Sequence, residues 1–99
     1  MILVEKHKEY LIYKADEGFL VQNIRMKGFC HTHVDGLPQA RKIVQWSVRQ
    51  QIPYDAPLYL LKSLLRVNED EAYIRRINEV IAKKEAPKQY YYNVNKGRK

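Results

Sequence analysis

Ninety-nine residues carrying 18 basic and 11 acidic side chains, a net charge of +7, make one domain and are too few for a large α/β barrel. An apolar share of 45% and an aromatic share of 11% belong to a chain that folds around a core, which argues against disorder. A single cysteine excludes an internal disulfide, and no apolar run approaches the roughly 20 residues that span a bilayer, so a cytoplasmic, membrane-free protein is expected.

The opening "MILVEKHKEY" has three apolar residues and then charges, too short an apolar run for a signal peptide. "EYLIYKA" and "FLVQNIRM" are rich in β-branched and aromatic residues and flank "DEG". Gly18 can take the positive φ of a tight turn, so the segment predicts an antiparallel hairpin over about 9–26. "ILV" at the start and "FCHTHV" at 29–34 add strands on either side, making a small meander.

Three helices follow. "GLPQARKIVQWSVRQQIP" starts one at Pro38, where proline suits the first helical position, and stops it before Pro53. Ala40, Ile43, Val44, Ser47 and Val48 fall on one stripe at helical spacing, with Arg41, Lys42, Gln45 and Arg49 opposite. "APLYLLKSLLR" repeats the proline start at Pro57 and is apolar on nearly all sides, which suits a central helix. "NEDEAYIRRINEVIAKK" opens with an Asn-x-x-Glu pattern that predicts Asn68 as cap and Glu71 reaching back. Ile74, Ile77, Val80 and Ile81 supply its buried stripe, and Pro87 is expected to end it. The expected architecture is α+β: an N-terminal antiparallel hairpin or small meander, then three helices packed on one sheet face. Residues 1–86 form the globular domain in this reading, and 87–99 a basic Tyr/Lys-rich tail.

The segment "GFCHTHVDG" offers chemistry most openly. In an extended strand His31, His33 and Asp35 share one face, and Cys30, Thr32 and Val34 the other. Two imidazoles and a carboxylate are metal-ligand types. Against a metal site, Asp35-Gly36 is a turn signal, and a closed zinc site wants four ligands. The plainer reading places the histidines at a solvated strand end and Cys30 as a small packed hydrophobe. A nickase-like His-x-His with a tyrosine nucleophile fails, because Thr32 stands where a hydrophobic residue belongs and "YYY" at 90–92 has no base beside it. With no phosphate loop and no nucleophile elbow either, no enzyme, metal or cofactor is expected.

Binding features remain. Trp46 neighbours Lys42, Arg49 and Gln50 at helical spacing. It reads as an aromatic anchor beside cations, the composition of protein interfaces, or as an indole wrapping the rim of the core. The basic charge concentrates in residues 83–99, where Lys83, Lys84, Lys88, Lys96, Arg98 and Lys99 face Glu85 alone. Such a tail is solvated charge or a polyanion contact. A nucleic-acid surface would use Arg41, Lys42 and Arg49 with Lys88, Tyr90, Tyr91, Lys96, Arg98 and Lys99. A helix-turn-helix is excluded by the two-proline first link and by the acids that open the third helix.

From His31 onward, "HTHVD…AR.IV…IP…YLLKSLLR…DEAYI..I…I..KK…YYN" resembles small uncharacterised proteins of phages and mobile elements in Gram-positive bacteria, over about two thirds of the chain. The resemblance implies a setting, not an activity: accessory proteins that bind a host protein or DNA. The expectation is a non-enzymatic modulator of a host defence or regulatory protein, contacting it through Trp46, Lys42 and Arg49. The alternative is a DNA- or RNA-binding accessory protein.

Overall fold

A computed structural model describes the backbone of residues 1–28 and 30–97, and side chains as far as residue 85 with Phe29 excepted. The elements are β1 (Ile2–His7), β2 (Tyr10–Lys14), β3 (Phe19–Asn23), β4 (His31–Val34), α1 (Leu37–Arg49), α2 (Leu58–Arg66) and α3 (Glu71–Gly97). The four strands form one antiparallel meander in the order β1-β2-β3-β4. The α+β architecture and the N-terminal hairpin are as the sequence predicts.

Register explains which residues turn inward. Ile12 pairs with Val21 and Val21 with Thr32, all buried, whereas the neighbouring row Tyr13–Leu20–His33 faces away from the helices. One face of the sheet thus supplies Tyr10, Ile12, Val21 and Val34 to the core, as strand alternation requires. The helices answer with Ala40, Ile43 and Val44 of α1, Leu60, Leu61 and Leu64 of α2, and Tyr73, Ile77, Val80 and Ile81 of α3. α1 and α2 contact the sheet directly, and α3 packs mainly on α2. That makes α2 the central helix, although Tyr59, Lys62 and Arg66 leave one side of it exposed.

β1 is different. Its Ile2, Leu3 and Val4 are exposed to 70%, 51% and 40%, and its register slips between Leu3 and Glu5. A bulge and the charge of Lys6 interrupt this apolar edge, devices that discourage uncontrolled strand pairing.

Two helix ends depart from the sequence reading. The cap of α3 is Asp70, not Asn68: the Tyr73 N–H donates to Asp70 Oδ1 at 3.1 Å. Asn68 is drawn into the interior, where its amide finds buried partners, while a carboxylate suits the positive end of the helix dipole. At the other end α3 continues to Gly97, so Pro87 does not terminate it. Proline forfeits one helix bond and crowds the carbonyl four residues back, about 3 kcal/mol; good helix formers such as Ala82, Lys83 and Lys84 lead into it. No helix among the described residues is long and apolar enough to cross a membrane.

Candidate functional site

The "HTH" segment is β4, and it alternates as expected. His31 and His33 are exposed on the open face, while Thr32 and Val34 are buried against the helices. Asp35 lies in the bend that follows. Among the described residues no group of three or more His, Cys, Asp or Glu side chains is placed to hold a metal. The segment's distinctive atom is the Thr32 hydroxyl, buried with no hydrogen-bond partner among the described residues. An unpaired buried hydroxyl carries its desolvation penalty uncompensated. Thr32→Val keeps the shape and removes the hydroxyl, so it is expected to raise stability by about 1 kcal/mol. Urea denaturation reads this; a variant less stable than the parent would mean that the hydroxyl is satisfied.

A concavity with an apolar floor lies on the other edge of the sheet. α1 packs over β2, β3 and β4 and leaves the helix-side face of β1 overhanging. Beneath the overhang runs a groove of ≈ 520 Å³. Ile12, Val44, Val48 and the Tyr10 ring form its floor; Lys6, His7, Arg41 and Arg49 stand around it. Its one carboxylate, Glu5, is engaged by Arg41, whose Nε donates to Glu5 Oε2 at 2.8 Å. That hydrogen bond, reinforced by the opposite charge, holds the Arg41 proton still more tightly than usual. The groove therefore has an apolar base and a rim whose surplus charge is positive.

Tyr10 and Val48 also border a second, more polar hollow of ≈ 560 Å³ toward the start of α3. Its base is a buried polar network. The Tyr10 hydroxyl donates to Asn68 Oδ1 at 3.0 Å, and Asn68 Nδ2 donates to Ser47 Oγ at 2.9 Å and to the Leu64 carbonyl at 2.8 Å. Beside it, Asn23 Nδ2 donates to the Val67 carbonyl at 2.9 Å. Burial pushes the Tyr10 phenol above its ordinary pKa, so it stays a donor. At the rim, the Tyr73 N–H and the Gln50 amide, which donates to Asp70 Oδ2 at 3.2 Å, hold the Asp70 carboxyl below its usual range. Side chains from β2, β3 and α1 are thereby tied to the α2–α3 junction, which fixes the walls of both hollows.

The residues proposed for partner contact, Lys42, Trp46 and Arg49, all lie on α1. Trp46 is half-buried and packs against the core, so the indole covers the core's rim; its carbonyl accepts from the Tyr73 hydroxyl at 3.0 Å. Lys42 and Arg49 are exposed, but only Arg49, with Arg41, lines the groove. Lys88, Tyr90, Tyr91, Lys96, Arg98 and Lys99 lie outside the residues whose side chains are described. Sequence reasoning missed Glu5, Lys6, His7, Gln45 and Val48. A signal for part of this set was present: Arg41, Gln45 and Arg49 recur every four residues beside Val44 and Val48, one polar stripe bordering an apolar one. No family model matches this sequence, and no curated protein or solved structure is detectably similar to it.

Proposed function

We propose that the protein is a non-enzymatic binding module that seats a segment of another protein in the groove between β1 and α1. The observation that carries this reading is the groove itself: Tyr10, Ile12, Val44 and Val48 make an apolar floor under a positively charged rim. Such a site complements an extended or helical segment with apolar residues in the floor and carboxylates at the rim. The setting we propose is that expected from the sequence: a phage or mobile-element accessory protein that modulates a host defence or regulatory protein.

Gln45 and Arg49 are exposed and line the groove, so the double variant Gln45→Glu/Arg49→Glu reverses the rim with little effect on stability. Affinity capture from nuclease-treated host extract should retain a protein on the parent, with retention at least ~10-fold lower on the double variant. Equal retention by both rejects the groove.

A second reading, a DNA- or RNA-binding accessory protein, is favoured by the exposed Lys42 and Arg49, neither of which forms an ion pair among the described residues. In that case nuclease abolishes capture, binding falls steeply with salt, and removing residues 87–99 weakens it.

A further inference from the structure

The side of the sheet away from the helices carries a second surface, which shares only Lys6 with the groove. Four strands in register present two rows there: Leu3–Tyr13–Leu20–His33 and Lys6–Leu11–Gln22–His31. Tyr13, Leu20, Gln22 and His31, with Met1, line a depression of ≈ 460 Å³ in this face.

Its composition is unusual for a face left to water. None of the eight positions is acidic, one is a lysine, and three carry flat rings. The acids near these positions in sequence are placed elsewhere: Glu5 lines the groove, Glu9 the polar hollow, Asp16 and Glu17 sit in the β2–β3 turn, and Asp35 lies in the bend after β4. Leucines beside the rings give the face a dry ground on which planar groups can lie.

A second copy of the chain is a poor occupant. Strands about 4.8 Å apart, of four to six residues at about 3.3 Å each, present roughly 320 Å² of flat area. Even doubled for side-chain relief, two such faces would bury only about 1,300 Å², the bottom of the range for a stable interface. The pairing would also set Lys6 and the imidazoles of both copies together with no carboxylate between them. An anionic, planar ligand meets neither objection. A duplex hides its bases from a flat sheet, whereas unpaired bases can be splayed onto Tyr and His rings. The Gln22 amide and the two imidazoles offer donors and acceptors for a ribose 2′-hydroxyl, a group that DNA lacks.

We propose that the open sheet face binds single-stranded RNA, with Tyr13, His31 and His33 stacking on unpaired bases and Gln22 and Lys6 meeting the ribose-phosphate edge. This site does not depend on the groove being a protein-docking surface.

The test is fluorescence anisotropy of the full-length protein with a labelled mixed-sequence single-stranded RNA, its DNA counterpart and its duplex, at physiological salt. The parent should bind the single-stranded RNA more tightly than either. Loss of one stacked base is worth about 1–3 kcal/mol, so Tyr13→Ala should weaken binding about 5- to 150-fold. His33→Ala, at an exposed position that folding does not need, should also weaken it, and Tyr13→Phe should retain it. Gln45→Glu/Arg49→Glu, which tests the groove, should leave rings and RNA contact intact apart from a small change in long-range attraction. Equal binding to duplex, equal binding to single-stranded DNA, or affinity unchanged by both ring deletions overturns the proposal.

Discussion

Asn68→Ala is expected to lower the stability of the fold by about 3 kcal/mol, a large part of the total for a domain of this size. The side chain is 7% exposed and makes three hydrogen bonds at once, to Tyr10, Ser47 and Leu64. Truncation takes a partner from all three, although the Leu64 carbonyl keeps the Val67 N–H at 3.4 Å. Each unmet polar group is worth about 1–3 kcal/mol, of which the Ser47 hydroxyl can recover some by rotating. Tyr10→Phe deletes one donor and leaves one lone pair of Asn68 unused, so it should lose only about 1 kcal/mol. The double variant should be less destabilised than the sum of the two, because the deletions share a bond. Thermal and urea denaturation of the four proteins read this cycle. An Asn68→Ala variant within about 1 kcal/mol of the parent would show that the network does not hold β2 and α1 to the α2–α3 junction.

The difference between Asn68 as expected and Asn68 as found shows what local sequence could convey. The Asn-x-x-Glu pattern is a fair cap signal, yet a capping residue must stay at the surface. Whether it does depends on Tyr10, which is 58 positions away in sequence. Where structure is decided locally, the sequence was readable. Prolines 38, 53 and 57 bracket α1 and α2 within a few residues, and the alternation of "HTHV" is that of β4. The β1–β2 turn was hidden because it contains no glycine: Lys8 takes φ 55, a conformation that glycine fills more easily. The groove was hidden for a deeper reason. It exists because α1 packs on β2, β3 and β4 and reaches β1 with the Arg41 side chain, and no periodicity within one element states how far a helix is displaced across a sheet. Trp46 marks the same limit. Helical spacing placed it at the edge of the polar face, and packing at the end of α1, beside Tyr73, turned that edge toward the core.

Gly18→Ala should destabilise the protein about as severely as the loss of Asn68, about 3 kcal/mol, and for two separable reasons. Gly18 has φ +76, a left-handed conformation that disfavours a side chain by about 1–2 kcal/mol. A Cβ there would also lie 2.5 Å from the Val34 carbonyl oxygen, and overpacking of that kind costs about 1–3 kcal/mol. The obstacle is backbone, held in place because Val34 pairs with Phe19, the residue next to the glycine. Neither side can move alone: the turn is closed by the Ala15 N–H bond to the Gly18 carbonyl at 3.1 Å, and β4 leads directly into α1 through Asp35 and Gly36. Gly28 supplies the control. It has φ +80, but a Cβ there would meet no described heavy atom within 4 Å, so Gly28→Ala should show the conformational part alone, about 1 kcal/mol. Equal, small losses in both variants would mean that β4 does not approach the turn so closely. If Gly18→Ala shows the larger loss, the end of β4 is pinned against the β2–β3 turn. That contact sets His33 beside Leu20 and Tyr13 in one row, so the same variant should disturb the ring surface of the open face before it reaches the groove under β1.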